Sequence, residues 1–298
     1  MSRIHDALQR SKPSEEAEKT ETEGQLPFRS AWSVAGETPS AAEAAPRLPA
    51  EAHDLRDRSE VALASQQAVL NFSSVWRERL ALGPTGNPHL IEQFRRLAAT
   101  LHRAHRTNGL KSVMVTSAMP GDGKTLTAIN LALVLAESYR YNVLLVDADL
   151  RRPSIPSVAD LGDGSGLSEV LRAPTQQKLA LVPVTSRLTL LPAGQPVANS
   201  IEALTSPRMR VILEEATARY DWVILDAPPV GPAADARLLT EMVGGTLFVI
   251  RAGQTQHADI QGSIDSLGRE HILGVVLNGV LDMPSGTYEY GYQPRSMD

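Results

Sequence analysis

The chain of 298 residues contains no cysteine, which excludes disulfide bonds and any metal site built on thiolates. No apolar run comes near the ~18–20 residues that a membrane-spanning helix needs. The first ten residues, Met-Ser-Arg-Ile-His-Asp-Ala-Leu-Gln-Arg, lack the apolar core of a secretory signal. Excess positive charge is missing as well. The formal net charge is −5, which gives no support for broad nucleic-acid binding. The expectation is a soluble cytoplasmic protein with one large or two ordinary domains.

Against these absences stands Ser117-Ala118-Met119-Pro120-Gly121-Asp122-Gly123-Lys124-Thr125. Ala118, Gly123, Lys124 and Thr125 satisfy the spacing of a phosphate-binding loop. Small residues let backbone N–H groups curl around a phosphate, the lysine reaches the β- and γ-phosphates, and the hydroxyl holds Mg²⁺. Val113-Met114-Val115 precedes the loop as a short apolar strand, and the run from Thr125 and Leu126 onward is helical in pattern. Phosphates would therefore sit at a helix N-terminus, where the dipole favours anions.

Residues 1–12 carry Ile4 and Leu8 on one face of a short helix. Residues 13–60 are rich in Glu, Ala, Pro and Ser, too poor in large apolar groups to offset the entropy of ordering, and are expected to be disordered. A marginal helix is expected within 61–80. The Asn87-Pro88 pair marks the start of folded structure, with an N-cap and a proline at the first helical position. The domain division is 1–80, 81–285 and 286–298. From residue 111, apolar runs at 112–116, 142–147, 188–191, 221–226, 245–250 and 273–277 alternate with helical patterns, notably 124–138, 207–219 and 257–269. Such alternation implies an α/β fold, a mostly parallel sheet with helices on both faces, whose ligands bind at the carboxyl ends of the strands.

Polar residues follow those runs where the rule requires. Val143-Leu144-Leu145-Val146 leads into Asp147-Ala148-Asp149-Leu150-Arg151-Arg152-Pro153. Two aspartates two residues apart can both reach one Mg²⁺–nucleotide site, one serving the metal and the other left for another role. Trp222-Val223-Ile224-Leu225 leads into Asp226-Ala227-Pro228-Pro229, a Walker B pattern whose aspartate serves Mg²⁺. Three of the six tyrosines, Tyr288, Tyr290 and Tyr292, crowd into the final stretch 286–298. Tyrosine is normally retained for burial or interfacial contact. A Gly- and Pro-containing tail offers neither, so modification is the more economical reason for them.

Taken together, these motifs resemble those of the bacterial tyrosine kinases of capsule and exopolysaccharide export. Leu191-Pro192-Ala193-Gly194 and Leu277-Asn278 add to the likeness, which spans roughly residues 88–298. The chain is most similar to the soluble type that works beside a separate transmembrane activator, and its long N-terminal segment is similar to that of the exosortase-associated branch. The resemblance implies a P-loop NTPase fold and an ATP–Mg²⁺ site. Pro120, Gly121, Asp122, Gly123, Lys124, Thr125 and Leu126 would bind ATP. Asn278, in preference to Arg251, would touch adenine. Thr125, Asp149 and Asp226 would serve Mg²⁺. Lys124, Asp147, Asp149 and Asp226 would be catalytic, with Asp147 orienting or deprotonating the acceptor hydroxyl. Tyr288, Tyr290 and Tyr292 would be phosphorylated in trans within a homo-oligomeric ring. The implied partners are a membrane polysaccharide co-polymerase (the chain-length activator), which would recruit the kinase to the inner face of the membrane, and a protein-tyrosine phosphatase; no nucleic acid is implied. Glu92 and Arg95 fit the Glu-x-x-Arg-x-x-Arg pattern of the ring interface, but the third position holds Ala98.

The main rival is an ATPase of the partitioning or septum-placement kind, a nucleotide-switched positioning module without transfer to protein. That kind carries a second lysine five residues before the loop lysine, where this chain has Met119, and it has no use for the tyrosines. A regulatory module that only senses nucleotide has the same motifs. A dinucleotide enzyme would have to use Gly162–Gly166, which lacks the strand–helix setting that its fingerprint requires.

Overall fold

The computed structural model describes residues 78–82, 87–155, 164–175, 177–231 and 234–280. The expected helix at 1–12, the expected disorder at 13–60, nearly all of the marginal helix at 61–80 and the three tail tyrosines lie outside the described residues.

The first helix among the described residues, α1 (Pro88–Asn108), starts where the Asn-Pro pair placed it. The Asn87 side chain accepts the His89 N–H at 2.9 Å, Pro88 takes the first turn, and Gly109 ends the helix in the left-handed conformation at φ 68°. This exit favours glycine, which adopts the left-handed conformation without a Cβ penalty. Phe94, Ala98 and Leu101 form the buried face. β1 (Ser112–Ser117) follows, then α2 (Lys124–Glu137), β2 (Val143–Asp147), the short α3 (Leu167–Arg172), β3 (Val182–Pro183) and β4 (Leu188–Leu191). The chain continues through α4 (Ser200–Leu204), α5 (Pro207–Arg219), β5 (Trp222–Asp226), α6 (Asp235–Thr240), β6 (Thr246–Arg251), α7 (His257–Leu267) and β7 (Ile272–Asn278).

The strand order is β3-β4-β2-β5-β1-β6-β7. Every pairing is parallel except β3 with β4. β1, β2 and β5 are buried at every residue, as continuous apolar runs in a parallel sheet should be. One core lies under α1 and α2, with Val113, Val115, Val143, Leu145 and Ile224. The other, with Met114, Leu144, Val146, Val223 and Leu225, lies under the helices of the second half. The alternation of side chains along each strand divides these residues between the two faces. The α/β prediction holds, and six of the seven strands among the described residues lie where the apolar runs put them. Among the described residues, no helix is long and apolar enough to cross a membrane.

The packed chain starts before Asn87. Leu80 and Ala81 are fully buried in the α1–α2 core. The Ala81 N–H donates to Asn130 Oδ1 at 2.6 Å, and Asn130 Nδ2 donates to the Arg79 carbonyl at 3.1 Å. Three residues show no periodicity, and their partner lies 49 residues further on, so local pattern could not reveal the contact.

Candidate functional site

Strand register builds the site. β2 and β5 are neighbours, with Asp147 opposite Asp226, and Val115 on β1 lies opposite Asp226 on its other side. The loop after β1 thus rises beside both aspartate-bearing strand ends. The loop enters α2 through Gly123 at φ 100° with no side-chain cap, so the first N–H groups of the helix are left for a ligand. A Cβ on Gly123 would lie 1.9 Å from Asn278 Nδ2, which adds a steric reason for glycine to the conformational one.

Lys124 lies between the carboxylates. Its Nζ is 3.2 Å from Asp149 Oδ2 and 3.8 Å from Asp226 Oδ1. Burial works against the ammonium, but Asp226, Asp149 and Asp147 outweigh it, and its pKa rises above the ordinary lysine value. Asp226 is fully buried and neither of its oxygens has a hydrogen-bond partner. Burial pushes its pKa up to about 6, against the pull of Lys124 and the nearby Thr125 and Ser154 hydroxyls. Those hydroxyls are 2.9 Å apart. An orphaned carboxylate beside two hydroxyls is a set of hard oxygen donors, and such a set suits Mg²⁺. No cluster of three or more His, Cys, Asp or Glu could hold a metal among the described residues.

The two aspartates of the β2 exit differ sharply. Asp149 lines the cleft, paired with Lys124 and accepting the Arg152 N–H at 3.1 Å. Asp147 is fully buried and is not among the lining residues. Its Oδ1 accepts the Asp149 N–H at 3.2 Å and its Oδ2 the Ile155 N–H at 3.1 Å. Burial, reinforced by Asp226, raises its pKa well above the carboxylate range. Both Asp147 oxygens thus accept backbone N–H groups, whereas Asp149 lines the cleft.

The cleft has a volume of about 930 Å³. Pro120, Gly121, Gly123, Lys124, Thr125, Leu126 and Asn278, expected to bind ATP, line it. Asp122 turns inward instead. Its carboxylate accepts the Met119 N–H at 2.9 Å and the Thr255 hydroxyl at 2.9 Å. Asn278 Nδ2 donates to the Asp122 carbonyl at 2.9 Å, and Arg251 donates to the Gly121 carbonyl at 3.0 Å. The ends of β6 and β7 therefore clamp the loop from outside. Glu92 and Arg95 are exposed on α1 and are not among the residues that line the cleft, and Glu92 pairs with Arg96 at 3.5 Å. Ala98, by contrast, is fully buried.

Several residues of the site were given no role from the sequence, although Arg151 belongs to the Asp147–Pro153 motif. Arg151 Nε donates to Asp235 Oδ2 at 2.8 Å and to Ser200 Oγ at 2.7 Å, and the Ser200 hydroxyl donates to the same Asp235 oxygen at 2.7 Å. Ser154, Thr255 and Arg79 also contribute. Arg151 and Ser154 share the β2 exit, whereas Arg79, Ser200, Asp235 and Thr255 come from separate segments that the topology brings to it.

A phosphate loop at a helix N-terminus and two aspartate-ended parallel strands define a P-loop NTPase. The family profile described as "ParA: NUBPL iron-transfer P-loop NTPase" matches residues 110–279; a chain without cysteine has no thiolates for iron. The chain is similar to the tyrosine-protein kinase YwqD of Bacillus subtilis (strain 168), 36% identical over 204 residues that cover 67% of this chain and 85% of that protein. It is 34% identical over 203 residues to the tyrosine-protein kinase etk of Escherichia coli (strain K12), where it spans 67% of itself but only 28% of the relative. Among solved structures, the kinase domain of Escherichia coli tyrosine kinase ETK superposes with a TM-score of 0.61 at 34% identity, over 68% of this chain and 80% of that one. The chimerical protein CapA2B2 gives 0.58 at 28% identity, over 63% and 84%. The chain belongs to this family of bacterial tyrosine kinases.

Proposed function

We propose that the protein is an ATP-dependent protein-tyrosine autokinase that phosphorylates Tyr288, Tyr290 and Tyr292 of a neighbouring copy and so regulates exopolysaccharide or capsule polymerisation and export. The observation that carries this reading is Lys124 held between Asp149 and Asp226 beneath an uncapped P-loop helix, in a chain of tyrosine-kinase ancestry. The loop N–H groups and Lys124 bind and orient the triphosphate. Thr125 and Asp226 are the residues to hold Mg²⁺, which supplies charge neutralisation on the phosphates. Asp149, at the cleft surface, receives the acceptor hydroxyl. A free tyrosine has a pKa near 10, so a carboxylate that orients and partly deprotonates it is useful. Most of the acceleration comes from positioning and electrostatics.

The partners belong to the same proposal: a second copy of this chain, a transmembrane co-polymerase that activates the kinase and holds it at the inner membrane face, and a phosphatase that reverses the modification. The test is incubation with γ-labelled ATP and Mg²⁺, with and without the cytoplasmic segment of the co-polymerase. Label on tyrosine that disappears in Lys124→Ala and in the triple Tyr288/Tyr290/Tyr292→Phe variant is expected. ATP hydrolysis without protein labelling would assign the chain to the partitioning-type ATPases instead.

A further inference from the structure

We propose that Arg79 is a ligand of the nucleotide's polyphosphate, delivered to the cleft by the strap at residues 78–82, with Asn130 as the residue that positions it. The inference rests on the nucleotide reading of the cleft and adds a cationic group from outside every motif of that site.

Three observations converge. Arg79 lines the same cleft as Lys124, Thr125 and Leu126. The residues next to it cannot drift, because Leu80 and Ala81 are fully buried in the core under α1 and α2. Asn130 then fixes the register. It is a fully buried amide in the middle of the P-loop helix, where asparagine is a poor helix former. Its acceptor takes the Ala81 N–H and its donor goes to the Arg79 carbonyl. A buried amide is tolerated when both of its ends are bonded, and here the strap bonds both. Asn130 thus makes the strap part of α2.

Geometry directs the arginine toward phosphate. Asn130 lies four residues after Leu126, on the same face of the helix, and five after Thr125, about 7.5 Å along the axis. The Arg79 backbone is therefore tied beside the second turn of α2, and the residue lines the same cleft as the helix N-terminus, where anions collect. Guanidinium groups suit phosphate oxygens in a way that a neutral residue does not.

The experiment uses the full chain and calorimetric affinities for Mg²⁺ with ADP, a non-hydrolysable ATP analogue and AMP. Arg79 is exposed, so Arg79→Ala leaves the fold intact. It is expected to weaken the triphosphate and diphosphate by about tenfold and AMP by less than about twofold, and Arg79→Lys to recover part of the loss. Asn130→Leu is expected to reproduce the loss in the wild-type background and to add nothing to Arg79→Ala, since both act on one group. Should Asn130→Leu fail to fold, the two Arg79 variants decide alone. Unchanged affinities in Arg79→Ala, an equal loss for AMP, or additive losses in the double variant would overturn the inference. A wild type that binds and transfers phosphate while Arg79→Ala is silent sinks this proposal only. A wild type that binds no nucleotide sinks the proposed function with it.

Discussion

At the scale of single residues, the site is a buried electrostatic balance that nucleotide binding would resolve. Asp226 is ionised at neutral pH in a place where burial disfavours its charge, with a pKa of about 6 against about 3.9 in an unfolded chain. A carboxyl whose folded pKa is raised stabilises the fold below its unfolded pKa, and that contribution is lost as pH rises through the folded value. The wild type without nucleotide should therefore lose stability from this group between about pH 4 and pH 6.5. Asp226→Asn should flatten that segment of the profile and melt higher than wild type at pH 8, although it removes an Mg²⁺ donor. Thermal scans of both proteins at pH 4.5 and pH 8, without nucleotide, measure the difference; parallel profiles would refute it. The two aspartates of the β2 exit should separate in the same spirit. Asp149→Asn should cost phosphotransfer about a hundredfold or more while the protein stays folded. Asp147→Asn places an amide where two backbone N–H groups already donate, so its main effect should be a melting temperature lower by several degrees. Single-turnover labelling beside melting curves distinguishes the two, and a larger kinetic loss in Asp147→Asn would restore Asp147 as the acceptor's partner.

Ala98 carries the clearest prediction at the scale of elements. The family pattern puts an arginine there, but in this chain the position faces the core of the α1–α2 layer at 0% exposure. Ala98→Arg would bury an unpaired guanidinium, at a cost of several kcal/mol. We expect a melting temperature at least about 10 °C lower, not a stronger ring. A variant that melts like wild type and sediments as a larger species would show α1 free to turn that face outward. Legibility from sequence follows the same logic of elements. β1, β2 and β5 were evident because both of their faces are buried and the apolar run is unbroken, and α1 because Asn87, Pro88 and Gly109 supply start and stop. The expected helix at 257–269 ends at Leu267 instead, where Gly268 at φ 84° breaks it. The short helices at 167–172, 200–204 and 235–240 contain too few turns to show a period, and β3, two residues ending in Pro183, falls below any pattern. The site divides in the same way. Lys124, Thr125, Asp149 and Asp226 sit in contiguous motifs beside strand ends, whereas Arg79, Ser154, Ser200 and Asp235 reach the cleft or its supports through contacts 25 or more residues away in sequence.

For the molecule as a whole, the position of the tail decides what kind of kinase this is. β7 ends at Asn278, which lines the cleft, and the tyrosine-bearing stretch follows it in sequence. Tyr288 follows Asn278 by ten residues, a length that can span up to about 33–36 Å when extended. Chain length alone therefore permits a tail to reach its own active site as readily as a neighbour's. Charge argues for a neighbour's site and for release afterwards. Each phosphotyrosine would add about −1.5 to −2, so three would add a charge comparable to the −5 of the whole chain to a segment that must dock beside Asp149 and Asp226. A tail that stays tethered at its own cleft cannot escape that repulsion, whereas one borrowed from another copy can leave. Mixing Lys124→Ala protein with the triple Tyr288/Tyr290/Tyr292→Phe variant tests the point directly, since the first has acceptors and no functional site and the second the reverse. Trans transfer predicts label on the Lys124→Ala chain at a rate that rises with total protein concentration, and a shift toward smaller species in sedimentation as label accumulates. Mixtures that stay unlabelled while wild-type protein labels at a concentration-independent rate would establish transfer within one chain.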